Sequence, residues 1–226
     1  MKQAFDLSKY RYLICDLDGT LLDTIEDICF AMNEALEETG YPYRYDRNTT
    51  RALIGDGADN AVRRALQERG NNEEDFARLR PVYLRRYAQY QTAHAKPYPG
   101  LVDALSALKR KGVKLYCLTN KPHALAEEVL ALNYGKGFFD DILGAQDDLP
   151  VKPDPSGTLR LMERNGIPAE EACFIGDSHV DIATAHNAGL PCLLVQWGYE
   201  LDYPTYISQA EASIKEPSEL LTDTRL

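Results

Sequence analysis

The sequence predicts an α/β fold, a Rossmann-like parallel sheet flanked by helices and carrying an α-helical insert. Three observations predict it. Short apolar runs, at Tyr12–Cys15, 113–118, 173–175 and Cys192–Val195, continue rather than alternate, as strands buried on both faces do. Helical periodicities lie between them and stop at glycines. One stretch, about 23–94, breaks this alternation and is mostly helical throughout. The expected division is therefore residues 1–22 plus 95–226 as the sheet-bearing core, with 23–94 as the insert.

In chain order, the first strand ends abruptly in Asp16-Leu17-Asp18-Gly19-Thr20. In the insert, Thr24 is placed to cap a helix whose Ile25, Ile28, Met32 and Leu36 share a face and which stops at Gly40. A second helix, 59–69, carries Val62, Ala65 and Leu66 before Gly70. A third, 73–91, carries Phe76, Leu79, Tyr83, Tyr87 and Tyr90, and Pro81 is expected to kink or split it. The tyrosines read as internal packing or as contact with the core. The two crossings, near Asp23 and near Lys96-Pro97, are candidate hinges. Further on, Leu101, Ala104, Leu105 and Leu108 mark a helix between Pro99-Gly100 and Gly112, and Leu125, Val129, Leu130 and Leu132 another between Pro122 and Gly135. Leu159, Leu161 and Met162 mark a helix ending at Gly166, and 182–188 one ending at Gly189.

The chain has 226 residues, 44% hydrophobic and 27% charged, enough to bury a substantial core. A net charge of −10 without a basic run makes nucleic acid and anionic membrane poor partners, because both are bound through Lys and Arg. No run approaches the roughly 20 apolar residues of a membrane span, and the first nine residues lack the apolar centre of a signal peptide. A soluble, cytoplasmic protein is expected, with monomer and homodimer both open. Cys15, Cys117, Cys173 and Cys192 lie in the apolar runs and Cys29 in a helix. No CxxC pair occurs, and the four in apolar runs read as small buried hydrophobes rather than disulfides or zinc ligands.

Asp16 and Asp18 follow a buried strand at its carboxyl end, where open α/β sheets bind ligands. Two residues apart on an extended chain, they project to the same side. Gly19 permits the tight exit turn and Thr20 can brace it. A second acidic pair, Asp177 and Asp181, follows another apolar run within Gly176-Asp177-Ser178-His179-Val180-Asp181. If these strands are neighbours, up to four carboxylates converge and repel one another, with Lys152 counted as the only nearby cation. A divalent cation resolves the conflict, and an oxygen-only ligand set points to Mg²⁺. His179, among such donors, is expected to be a loop residue without a metal role. Thr119 and Asn120 end an apolar strand with a hydroxyl and an amide. Lys152-Pro153-Asp154-Pro155 sets a lysine before a rigid turn.

These four signals, in this order, resemble the haloacid dehalogenase superfamily, and the resemblance spans essentially the whole chain. It implies that Asp16 is the nucleophile and that Asp18 is the general acid and base. Thr119 and Lys152 would hold the phosphoryl group, the lysine also steadying the nucleophile. Asp16, Asp177 and the main-chain carbonyl of Asp18 would bind magnesium, with Asp181 supporting metal-bound water. A carboxylate two residues after the nucleophile favours a phosphatase over a dehalogenase, since a departing halide needs no proton. The insert is similar to the family's small α-helical cap. Thr119-Asn120-Lys121-Pro122, Ile54-Gly55-Asp56-Gly57-Ala58 and Gly198-Tyr199 resemble phosphoglycolate phosphatases. The expected reaction is hydrolysis of a small phosphorylated metabolite through an aspartyl-phosphate. Gly19 and Asn120 would border the substrate, and Arg64, or its neighbour Arg63, would read its non-phosphate end. A sugar-phosphate mutase and an inorganic pyrophosphatase are the rival chemistries on such a core. A non-catalytic binding module is disfavoured because the whole motif set is present.

Overall fold

The computed structural model describes residues 5–221. The outer ends of the two core segments, residues 1–4 and 222–226, lie outside the described residues. In chain order come β1 (Tyr12–Cys15), β2 (Leu22–Asp23), α1 (Ile25–Glu38), α2 (Arg47–Arg51), α3 (Ala58–Ala65), α4 (Glu73–Tyr90) and β3 (Lys96–Pro97). They are followed by α5 (Leu101–Arg110), β4 (Lys114–Pro122), α6 (His123–Tyr134), β5 (Asp141–Ala145), α7 (Ser156–Asn165), β6 (Ala172–Gly176), α8 (His179–Asn187), β7 (Cys192–Val195), α9 (Tyr203–Tyr206) and β8 (Ala212–Ile214).

Six strands form one parallel sheet in the order β5-β4-β1-β6-β7-β8. The continuous apolar runs are explained by burial on both faces. Leu13 and Cys15 of β1 enter one apolar cluster and Ile14 the other; Cys173 and Ile175 of β6 divide from Phe174 in the same way. The connections run to opposite sides of β1, toward β4 on one side and β6 on the other. That is the switch point at which a crevice opens beyond the strand ends. Cys15, Cys117, Cys173 and Cys192 are buried, in agreement with their reading as small hydrophobes; Cys29 is half-buried, and all five are free thiols. Among the described residues no helix is long and apolar enough to cross a membrane.

Helices α1 to α4 gather a third apolar cluster of their own. Ile28, Met32 and Leu36 of α1 pack with Val62 of α3 and with Leu79, Tyr83 and Tyr87 of α4. Helix α4 runs through Pro81 as one unsplit element, contrary to one of the two expected outcomes. Pro81 sits on the exposed side, so the packing face stays whole. The second predicted helix is shorter than expected: α3 ends at Ala65 and a single 3₁₀ turn, Gln67–Arg69, follows. The two crossings pair as an antiparallel ribbon, Leu22 with Pro97 and Asp23 with Lys96. The fully buried Asp27 carboxylate braces it by accepting from the amides of His94 and Ala95 at 2.9 Å. Thr24 occupies the N-cap position of α1 but does not cap it with its side chain. Instead the Tyr199 hydroxyl accepts from the Thr24 and Ile25 amides at 2.6 and 3.0 Å, which frees the threonine hydroxyl for another partner.

Candidate active site

Three neighbouring strands bring their carboxyl ends together, with Asp16 after β1, Thr119 to Lys121 in the last turns of β4, and Asp177 after β6. Asp16 is 8% exposed and its Oδ1 lies 2.7 Å from Lys152 Nζ. The same ammonium reaches Asp181 Oδ1 at 2.6 Å. Lys152 is itself held by Asn120, whose Oδ1 accepts from the Lys152 amide at 2.7 Å while Nδ2 donates to its carbonyl at 3.1 Å. Asn120, expected beside the substrate, lines the cavity while its amide holds the main chain of the lysine. Asp181 also braces the start of α8, accepting from the Ser178 amide and hydroxyl at 3.1 and 2.8 Å. Asp177 is held from both sides, by the Thr20 hydroxyl at 2.9 Å and the Tyr199 amide at 2.6 Å. Gly19 has φ +91°, and a Cβ there would fall 2.5 Å from Asp177 Oδ2, so both its turn and its closeness require glycine.

Carboxylate oxygens of Asp16, Asp177 and Asp181 all lie within 4.8 Å of one another, and all three residues are buried. Burial pushes Asp16 up to about 7 against the pull of Lys152, with Asp181 and Asp18 adding to the rise. Asp177 is raised as well, by burial first and then by Asp181 and Asp16. Lys152 stays above its ordinary value because Asp16 and Asp181 outweigh its burial.

Asp18 turns its carboxylate away from this cluster. Its Oδ1 accepts from the Thr24 hydroxyl at 2.7 Å and lies 3.8 Å from Lys121 Nζ. Lys121 is the cation that the sequence reading missed when it counted Lys152 alone. Its side chain is fully buried and its ammonium meets the Tyr87 hydroxyl of α4, joining core to helical layer. A lysine closing an apolar strand reads as the strand's exposed end, so Thr119-Asn120-Lys121-Pro122 by itself gives Lys121 no part in the charge count. The available signal was its place two residues after Thr119, on the same side of β4. The β4–β5 ladder also loses register between Leu118 and Pro122, a bulge that re-aims the residues between them. With Lys121 included, the formal count is four carboxylates, Asp16, Asp18, Asp177 and Asp181, against two ammonium groups, a difference of −2 that one divalent cation would balance.

The strand ends and helices α1, α3 and α4 enclose a cavity of about 270 Å³. Tyr83 and Tyr87 line it from α4, ring against ring at 5.8 Å, so the tyrosine stripe both packs the layer and meets the core. Arg64 reaches the rim, where its guanidinium forms a two-pronged pair with Asp56 at 2.5 and 2.6 Å. Arg63 turns to Glu73 and the Phe76 ring, away from the cavity. Arg51, which no sequence signal singled out, donates to the carbonyls of Gly198, Tyr199 and Glu200 at 3.1 to 3.2 Å. His179 opens α8 instead of lying in a loop; its Nδ1 is 2.7 Å from Glu200 and its ring stacks on Tyr206.

Comparison with known proteins gives a coherent set of likenesses. Residues 13–195 match the haloacid dehalogenase-like hydrolase family. A phosphoglycolate phosphatase of Aquifex aeolicus is 33% identical over 84% of this chain and 86% of its own. Phosphoglycolate phosphatase 1 of Pseudomonas aeruginosa is 37% identical over 86% of this chain and 72% of its own. Among solved structures, a candidate phosphoglycolate phosphatase from Lactobacillus delbrueckii subsp. bulgaricus superposes with a TM-score of 0.87 at 28% identity, over 93% of this chain and 96% of that one.

Proposed function

The chain belongs to the haloacid dehalogenase-like hydrolases, and on that premise we propose that it hydrolyses a small phosphate monoester, 2-phosphoglycolate or a close relative, through an aspartyl-phosphate on Asp16. The observation that carries this reading is the buried chain Asp16–Lys152–Asp181 at the carboxyl edge of the sheet, opening on the cavity. Lys152 holds one oxygen of Asp16 and aims the other at phosphorus. Asp16 attacks, the ester P–O bond breaks, and its electron pair leaves with the alcohol oxygen, which takes a proton from Asp18. Thr119 and Lys152 bind the phosphoryl oxygens. In the second step water attacks the acyl phosphate and gives its proton to Asp18, which releases inorganic phosphate and restores Asp16.

Three buried carboxylates with oxygen-only donors and two uncompensated charges fit Mg²⁺. Asp16, Asp177 and the Asp18 carbonyl would hold it, with Asp181 supporting a bound water. Bound Mg²⁺ would neutralise charge on the phosphoryl group. Residues 23–94 act as a cap over the cavity, hinged at the β2–β3 ribbon, with 1–22 and 95–226 as the catalytic core. Five free thiols suit a reducing, cytoplasmic setting. The test is phosphate release from 2-phosphoglycolate with Mg²⁺ and with a chelator, beside Asp16→Asn. Release should need the metal and fall by about 10⁴-fold or more in the variant, the scale of losing a nucleophile. Turnover that survives in Asp16→Asn would overturn the mechanism. Isomerised product without free phosphate would favour a mutase.

A further inference from the structure

An ammonium group has three N–H donors. The Lys121 side chain is fully buried, and among the described residues its ammonium meets one hydrogen-bond acceptor, the Tyr87 hydroxyl. Asp18 Oδ1, at 3.8 Å, is close enough to attract it but beyond hydrogen-bond reach. Apart from the face of the same Tyr87 ring, 4.1 Å away at its centroid, the other two donors meet no protein oxygen or nitrogen acceptor, on a residue that lines the cavity. A buried charge in that condition is unfavourable until a ligand completes it. The other basic residues of the lining are committed. Lys152 lies between Asp16 and Asp181, Arg64 is paired to Asp56, Arg51 is bound to three carbonyls, and His179 is held by Glu200.

From this geometry we infer that Lys121 recognises a carboxylate of the substrate. The inference narrows the substrate class to phosphate esters of 2-hydroxy acids, and it rests on the phosphatase reading above. In such an ester the bridging oxygen and the carboxylate share one carbon, which puts the carboxylate carbon about 2.4 Å from that oxygen by ordinary bond lengths. An acid protonating the bridging oxygen sits about 2.7 Å from it. The carboxylate of a bound 2-phospho acid therefore lies beside Asp18, and Lys121 is the free ammonium beside Asp18. Tyr87 steadies that ammonium from the helical layer, so recognition of the carboxylate also engages α4. An ester with its carboxylate several bonds further out would place its charge away from Lys121.

The experiment compares kcat/KM for 2-phosphoglycolate and for 2-hydroxyethyl phosphate, which has the same length and an alcohol in place of the acid. Wild type and Lys121→Met are assayed with Mg²⁺. Both esters lose rate in the variant, because Asp18 loses its cationic neighbour. The ratio between them should fall by about 10- to 100-fold, the scale of one charge-assisted hydrogen bond. Lys121→Arg should recover part of the ratio. If Lys121→Met does not fold, Lys121→Gln carries the same comparison. A ratio that stays within about threefold of wild type would show that Lys121 acts only through Asp18 or through packing, and would overturn the assignment. Wild-type release from neither ester would instead sink the phosphatase reading, and the assignment with it.

Discussion

The two walls of the cavity are built on opposite plans. On the core wall the charged groups are buried and answered by one another, with Lys152 touching Asp16 and Asp181 at 2.7 and 2.6 Å and Asp177 held by Thr20 and Tyr199. In the helical layer most ion pairs are exposed, Arg64–Asp56 at the cavity and Arg80–Asp59 and Arg85–Glu38 away from it, with the buried Asp75 carboxylate under Arg69 and Arg78 the exception. A buried pair makes each partner indispensable to the other, whereas an exposed pair contributes little. The difference separates two tasks. The core wall fixes carboxylates in one arrangement, as a reaction common to many substrates requires. The polar contacts that join the helical wall to it include Tyr199 on the start of α1, Thr24 on Asp18, Arg51 on residues 198–200, Tyr87 on Lys121 and Gln91 on Glu128. Asp16, Asp177 and Asp181 are held by core residues alone, whereas Asp18 is held by Thr24 and feels any shift of α1.

The hardest way to break this contrast is to remove Lys152. Lys152→Met leaves three carboxylates within 4.8 Å of one another with no ammonium between them. Losing one partner of a buried ion pair costs about 3–5 kcal/mol, and urea unfolding with a chelator present should read that loss. A loss below about 1 kcal/mol, the size of an exposed pair, would mean that the core wall behaves like the helical one.

Tyr199→Phe tests the seam between the walls. The lost hydroxyl accepts two amides at the start of α1 and donates to Asp23 at 3.1 Å, and the residue is 8% exposed. Leaving those buried amides unmet should cost about 1–3 kcal/mol. The change should also lower kcat/KM several-fold, because the freed α1 start carries Thr24, which holds Asp18. Full stability and activity in this variant would show that α1 is positioned by its apolar face alone.

The same contrast decides what could be read from the sequence. The core wall was legible because a buried strand that ends suddenly in aspartates leaves few alternatives. The helix faces were legible too, since Ile28, Met32 and Leu36 keep their spacing whatever they pack on. Strands β5 and β8 went unread. β5 is only partly buried and β8 has three residues at the sheet edge, where burial imposes little pattern. Helix α2 went unread because its five residues are all polar. The cap on α1 was misassigned to the adjacent Thr24, since the hydroxyl that serves it comes from Tyr199, 175 residues away in sequence. Lys121 shows the same limit. Its place two residues after Thr119 is the one local signal; the rest depends on a bulge, a tyrosine from α4 and an aspartate beyond the end of β1.

The smallest expected effect belongs to Arg64. Its side chain is 43% exposed and its guanidinium is already paired with Asp56, so Arg64→Ala should change stability by less than about 1 kcal/mol. Its charge is matched before any substrate arrives, and its place at the rim is far from indispensable to the carboxylates below. kcat/KM for 2-phosphoglycolate should therefore stay within about threefold of wild type, against the much larger fall expected for Lys121→Met. The outcome sharpens the comparison whichever way it goes. A fall confined to carboxylate-bearing esters would mean that Asp56 surrenders Arg64 when substrate binds. Specificity would then be written on the helical wall as well as at the seam where Lys121 meets Tyr87.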